Sequence, residues 1–592
     1  MAALWRDQSF SSPIDFSPSP SSPRHTPNKT ADIGQDGVSL SADPQGRILQ
    51  LSTFHAGHGI VVAVPFEQFD GSKYYDPKFV RSYRTRMLQY MKEGKGGFGL
   101  DVAENAYPGS AQIVSRSLAS FIYTVHTPHG NLEVSYTTRV LKGGEAVQTA
   151  AVKNPNPIQI THGYALKLCL SLNRASYGQL TEGGPIPLPP SRNSLCRTAE
   201  SVFNITNPYL GARLEGSVEV DGTAISLGTL KPGSASEYAE QISYVAKGHL
   251  GWVFNRAERP RSSGEVYRED YVPSPQEPRG LSENEYSLTP MYSGFWHRSY
   301  LVTGKPKDQT IFQLDQQCYP LLELCDYLDC FPHDVDFVMR LANSGVIAEI
   351  LEVLASKRDA ETGLWPTDET PGDDAVTLPH HFSSHILLWR TYTRLRELWA
   401  SIKPMDEAEI RKLSDMATEI RDKTLRSFTT HHPQNEKSMF AYFTNGHGEH
   451  RFYHDANDVP TLFAAEWEFV ETLDQIKTWR NTMDFGLSPL NERGFCAEGS
   501  YRGLGSQHSP GAWVLGYFQE LAYAASVGDA PAIDEAWEKI LASMQWDGTF
   551  PEAVDPQTAK CSSKAWFSWP GSMIGALLIR MRVNGKDQYL ER

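Results

Sequence analysis

No run of about 20 apolar residues occurs in this 592-residue chain, so no ordinary membrane-spanning helix is expected. The opening stretch MAALWRDQSFSSPIDFSPSPSSPRHTPNKT has neither a basic flank nor an apolar core of about 7 to 15 residues, so it does not read as a secretory leader. Cysteine is scarce and odd in number. The seven are Cys169, Cys196, Cys318, Cys325, Cys330, Cys496 and Cys561, never in C-x-x-C spacing, which argues against a disulfide framework and a structural zinc site. Histidines 380, 381, 447, 450, 454 and 508 show neither H-E-x-x-H nor facial-triad order, so no metal and no other cofactor is expected. A net charge of −15 without a basic stripe argues against nucleic acid as a partner. The expectation is a soluble, cytoplasmic protein with neither a nucleic-acid nor a membrane partner, with a homo-oligomer left open.

Apolar content of 40% and aromatic content of 11% are ample for globular cores, and the chain is too long for one ordinary core. Residues 1–40 are rich in Ser and Pro and read as a flexible tail. Over 41–265 short β-branched and aromatic runs, such as GIVVAVP, NLEVSYTTRVL and LEGSVEVDG, alternate with Gly, Pro and Asn. This predicts an antiparallel β-sandwich. A charged, Pro- and Ser-rich linker fills 266–310. From 311 to 592 the apolar period becomes helical, with at least seven helices joined by Gly/Pro-rich loops; among them VDFVMRLANSGVIAEILEVLAS and VPTLFAAEWEFVETLDQI each read as one helix. Helical hairpins with polar, aromatic loops suggest an α/α toroid whose loops at one end carry a site.

Four of those loops hold the unusual residues. Loop 363–381 carries Trp365 and the adjacent acids Asp373 and Asp374; 450–463 adds Asp455 and Asn457; 501–513 adds Arg502 and His508. Residues 546–569 frame one carboxylate, Glu552, with Phe550, Trp566, Phe567 and Trp569. Each loop alone reads as helix caps and turns. Together, with 13 Trp in the chain, they suit a sugar site, because glycoside hydrolysis places two carboxyl groups astride one sugar and aromatic rings can stack on its apolar face. An acid that keeps its proton near neutral pH needs a raised pKa, which repulsion between Asp373 and Asp374 would supply.

LDQQCYPLLEL (314–324, containing Asp315), PGDDAVTL (371–378), HDANDVPTL (454–462, with Asp458 as an extra residue), GLGSQHSP (503–510) and AWFSWPGSMIGALL (565–578) resemble, in that order, family 125 of the glycoside hydrolases, the metal-independent exo-acting α-mannosidases. The resemblance implies an (α/α)6 barrel over 311–592 and an inverting exo-glycosidase acting on an α-linked glycoside such as an α-mannoside. The general acid would be Asp373, preferred over Asp374, and the general base Glu552. Trp365, Asp315, Asp455, Asn457, Arg502, His508, Trp566 and Trp569 are the substrate-binding candidates. The family's early Arg-Asp motif has no clear equivalent; GFWHRSY (294–300) is nearest. Other readings on the same scaffold are a glycoside phosphorylase, for which only Lys560 and Lys564 lie near Glu552, a polysaccharide lyase using Tyr453, His454, Asn457 and Arg502, or an inactive glycan-binding protein.

Overall fold

The computed structural model describes residues 311–583 except 546, 547 and 566; residues 295–297; and, N-terminal of these, 30–43, 46–55, 59–64, 82, 98–101, 106–158, 160, 165–167, 171–174, 194–199, 202–208, 210–220, 223–224, 237–238 and 248–255. The chain divides into two compact units between Val272 and Pro273. The expected linker 266–310 lies outside the described residues apart from 295–297.

The N-terminal unit is antiparallel β. Ala31–Gln35, Val38–Ala42, Ile48–His55, Gly59–Val64 and Ser171–Arg174 form one sheet in that order. A larger sheet runs Ser194–Ala199, Val202–Asn207, Ala212–Val220, Gly248–Asn255, Glu145–Lys153, Gly130–Val140, Leu118–Thr127, Ala106–Ser115. Alternate residues are buried along Leu118–Thr127 and Gly130–Val140, as a strand with one face on a core requires. Ile33, Leu40 and Leu51 of the first sheet share one core with Phe121, Val134 and Tyr136 of the second. The expected tail to residue 40 is corrected here. Asp36 and Gly37 both have positive φ, the backbone a two-residue hairpin turn needs, and buried Ile33, Val38 and Leu40 anchor the strands on either side.

The C-terminal unit contains helices α1 (Tyr319–Cys330), α2 (Val335–Asn343), α3 (Val346–Lys357), α4 (Phe382–Ile402), α5 (Glu407–Phe428), α6 (Val459–Leu462), α7 (Leu473–Gly486), α8 (Val514–Val527), α9 (Ala530–Ser543) and α10 (Ser568–Val583). Their apolar faces meet in one core that includes Leu321, Ile350, Leu388, Ile420, Trp479, Phe518 and Ile540. Two single helices expected from the pattern are each divided. Gly345, at φ 92, separates α2 from α3, and a capping box of Thr472 and Gln475 starts α7 well after α6 ends. Phe495–Cys496, Gly503–Ser506, Ser509–Trp513, Ala553–Val554 and Cys561–Ser563 form a small antiparallel sheet in that order. Among the described residues no helix is long and apolar enough to cross a membrane.

Candidate active site

The loop between α3 and α4 is stitched to the extended stretch ahead of α1. Phe312 N–H donates to Asp368 Oδ2 (2.9 Å), Asp368 N–H to Phe312 O (2.9 Å) and Leu314 N–H to Thr367 Oγ1 (3.1 Å). Thr370 then closes a tight turn: its oxygens accept from the backbone of Gly372 (3.2 Å), Asp373 (2.9 Å) and Asp374 (3.3 Å). Asp373 stands in the left-handed region at φ 62, where Asp is among the side chains best tolerated. Its Oδ1 accepts from Gln313 Nε2 (2.9 Å), which also reaches Glu369 Oε2 (3.0 Å). Asp374 meets a different partner, with Oδ2 3.1 Å from His508 Nδ1. The two acids therefore act through separate contacts.

The stitching also sets Asp315, in a 3-10 turn (Asp315–Gln317), close to this loop. Asp315 is 1% exposed, and its Oδ1 has no hydrogen-bond partner among the described residues. Burial pushes its carboxyl up to about 7; the nearby His381 pulls the other way, and the charge of Asp373 adds to the rise.

The segment before α6 brings a second buried carboxyl. Asp455 Oδ1 accepts from the backbone N–H (2.9 Å) and side-chain Nδ2 (2.7 Å) of Asn457, and Oδ2 from Tyr453 OH (2.6 Å). Burial, then the charge of Asp458, raises Asp455 to about 6. Asp458, an extra residue in the sequence comparison, is fully buried: its Oδ2 accepts Asp455 N–H (3.2 Å), and its Oδ1 stands 3.2 Å from His381 Nε2, out of line for a hydrogen bond. The segment is fastened to the small sheet by Ala456 N–H to Gly505 O (3.0 Å) and Gln507 N–H to Tyr453 OH (3.1 Å). This fastening carries His508 to Asp374. A Cβ at Gly372 would stand 2.9 Å from Asn457 Nδ2 and 3.6 Å from both Asp374 Oδ2 and His508 Cε1, so these four residues converge on one spot. His508 holds its proton more tightly than usual, first through Asp374 and, more weakly, through the charges of Asp455 and Glu552.

Glu552 lies under cover. It is 1% exposed; Oε1 accepts from Lys564 Nζ (2.6 Å), and Oε2 from Ser509 Oγ (3.0 Å) and Ser563 Oγ (2.8 Å). Ser509 directly follows His508, so one short strand joins Glu552 to the Asp374 contact.

Residues 349–579 match the model of the metal-independent α-mannosidases, GH125. The C-terminal region is GH125-like. The stretch matched to family 125 includes Asp373, Asp374, Asp455, Asn457, His508 and Glu552; Gln313 and Asp315 precede it, and the N-terminal unit lies outside it. The meiotically up-regulated gene 157 protein of Schizosaccharomyces pombe is 24% identical over 328 residues, 52% of this chain and 62% of that protein, so this chain spans less than two thirds of that relative's length. Among solved structures, a metal-independent α-mannosidase from Streptococcus pneumoniae, in a non-productive complex with α-1,6-mannobiose, is 18% identical over 47% of this chain and 70% of its own, at a TM-score of 0.41. Cellobiose 2-epimerase from Bacillus thermoamylovorans is 12% identical over 48% and 75%, at 0.32. Both structural likenesses are too remote to carry an argument about this site.

Not every candidate in the GH125-like region joins the cluster. Trp365 is buried in the core, its indole N–H on Leu354 O (2.7 Å) and the Arg358 guanidinium over its ring, so it packs and presents no face to a sugar. Arg502 is exposed and acts electrostatically on Glu535 rather than on the cluster. Trp569 packs against the helical core beside Phe567, while Trp566 lies outside the described residues. Among the described residues the hydrogen bonds to Glu552 come from two serines and a lysine. In the nearest counterpart to the Arg-Asp motif, Trp296 is buried and exchanges hydrogen bonds with Gln317, while residue 298 lies outside the described residues. Two carboxyls outside the Asp373–Asp374 pair are raised by burial, those of Asp315 and Asp455. Among the described residues no group of three or more His, Cys, Asp or Glu could hold a metal ion. His454 bonds Gln519 (2.9 Å) and His450 the Ser427 carbonyl (3.0 Å).

Proposed function

We propose that this protein is an inverting, exo-acting glycoside hydrolase of α-mannosides, built on an α/α toroid preceded by a β-sandwich. The observation that carries the reading is the match to family 125 over the residues that bring Asp374, Asn457, His508 and Gly372 to one point, with Glu552 hydrogen-bonded to Ser509, the residue after His508. Glu552 takes a proton from the attacking water, and a carboxyl of the Asp373–Asp374 pair protonates the leaving oxygen. Asp373 is the preferred acid, since Asp374 is engaged by His508. Asp315, whose carboxyl burial pushes up to about 7, and the hydrogen-bonded Asp455 lie on the buried side, where sugar hydroxyls need both donors and acceptors.

Two of the alternatives, the phosphorylase and the lyase, lose support. A phosphorylase needs a cation for phosphate, and Lys564 is held by Glu552. A lyase needs a tyrosine that gives up its proton, yet Tyr453 is half-buried and donates to Asp455, and its desolvation and the charge and hydrogen bond of Asp455 make it hold that proton more tightly. The deciding experiment offers α-linked mannobiose and a panel of aryl glycosides, with and without phosphate, to wild type and Glu552→Gln. Free mannose released without phosphate, falling by about 10² or more in the folded variant, is expected; wild-type turnover by Glu552→Gln removes this carboxylate from the reaction, and no release from any α-mannoside overturns the substrate.

A further inference from the structure

We infer that Lys564 is the positioning residue of the water-activating half-site, and that it designates Oε1 of Glu552 as the atom that takes the proton. The inference rests on the proposed role of Glu552 and goes beyond it by naming the atom and what holds it.

The small sheet explains the arrangement. Glu552 immediately precedes Ala553–Val554, the strand between Ser509–Trp513 and Cys561–Ser563, with Ala553 paired to Trp513 on one side and Ser563 on the other. Its backbone is pinned from both sides, by Val514 N–H to Glu552 O (3.2 Å) and Glu552 N–H to Lys564 O (3.1 Å). Each flanking strand gives one hydroxyl, Ser509 and Ser563, to Oε2. A carboxylate oxygen has two lone-pair sites, so among the described residues Oε2 is filled. Among the described residues Oε1 receives one donor, the Lys564 ammonium at 2.6 Å, which leaves one lone-pair site that the attacking water would use.

Lys564 reaches that position from an unusual backbone. Its φ is 39, in the left-handed region that side chains other than Gly, Asn and Asp seldom adopt. A strained residue whose carbonyl and ammonium both bond to the same glutamate points to a role at that glutamate. Its side chain is 50% exposed, so it contributes little to the core, whereas the carboxylate it holds is buried.

Two probes isolate the claim. α-Mannosyl fluoride has a leaving group that needs little protonation, so its hydrolysis reads water activation without the acid; α-linked mannobiose needs both. Lys564→Met is expected to lower kcat by about 10-fold to 10² on both substrates with KM nearly unchanged, since the loss is one of orientation in the transition state. Lys564→Arg recovers much of it, and methylammonium restores part of the activity of Lys564→Ala, which a merely structural role would not allow. Where Lys564→Met fails to fold, the same split is read on Lys564→Gln. Wild-type kcat in a folded Lys564 variant, a loss confined to KM, or no response to methylammonium would overturn the assignment. Glu552→Gln run alongside separates the two levels: if it is active the base itself is wrong, and if it is inactive beside a fully active Lys564→Met only the role of Lys564 falls.

Discussion

Asp315 is buried beside His381 with one oxygen unpartnered among the described residues, and its carboxyl is raised from 3.8 to about 7. Below about pH 4 the folded and unfolded chains both carry this proton. Between about 4 and 7 the unfolded chain releases it while the folded chain keeps it, so this residue costs stability progressively as pH rises through that window, on the order of a few kcal/mol once complete. Asparagine resembles the protonated acid and has no such cost. Melting temperatures of wild type and Asp315→Asn at pH 5 and pH 8 should show the variant gaining relative to wild type at pH 8; an equal or smaller difference there would mean that Asp315 ionises normally. At the neighbouring pair the expectation is kinetic. Asp373→Asn should lose about 10² or more on α-linked mannobiose and stay near wild type on α-mannosyl fluoride, as an acid would, whereas Asp374→Asn should slow both by releasing His508. The reverse pattern would exchange their roles.

At the scale of elements, α7 rests on a local device. Thr472 accepts from Gln475 N–H, and the Gln475 side chain returns to the Thr472 backbone, so Thr472→Ala should cost about 0.5 to 2 kcal/mol in a urea titration and leave turnover unchanged. An effect on turnover but none on stability would contradict the cap. That T-x-x-Q signal was open to reading in the sequence, yet the apolar pattern continued across it. Phe463, Phe469 and Val470 are buried in turns, and buried turn residues imitate the period of a helix. The helical face of α1 was legible because burial at Leu321, Leu324, Cys325 and Leu328 follows the helical repeat, whereas the first turns of α4 and α8 are buried on every side. In the site, the loop carboxylates, Asn457 and His508 stood out as charge and hydrogen-bonding capacity between helices. Ser509 and Ser563 did not, since a serine in a turn has no pattern separating a carboxylate's hydrogen-bond donor from an ordinary turn residue. Trp365 misled for the opposite reason: a tryptophan in a polar loop resembles a sugar platform until its indole N–H is seen to end on Leu354.

Across the whole chain the change from period-two to helical patterning separated a β unit from a helical one, and the units divide between Val272 and Pro273. The strands were readable through alternation; the hairpin of Ala31–Gln35 and Val38–Ala42 was not, because its few apolar residues sit next to a Ser- and Pro-rich stretch. Function tests this organisation through stereochemistry. Asp373 belongs to the loop ahead of α4 and Glu552 to the strand turn ahead of α10, and the charge of Glu552 is felt at His508, the direct partner of Asp374. Two carboxyls brought from such separate elements can leave room for a water, and inversion needs them about 6.5 to 9.5 Å apart. An α-mannoside should then give β-mannose as first product, seen by proton NMR of the anomeric region within minutes of mixing. Running the reaction in EDTA adds the metal question to the same sample, and full activity is expected. Appearance of the α-anomer first would make one of these carboxylates a nucleophile, since retention brings the pair to about 5 Å; Glu552 would then have to attack the sugar through Oε1, the oxygen with a single donor, Lys564, among the described residues.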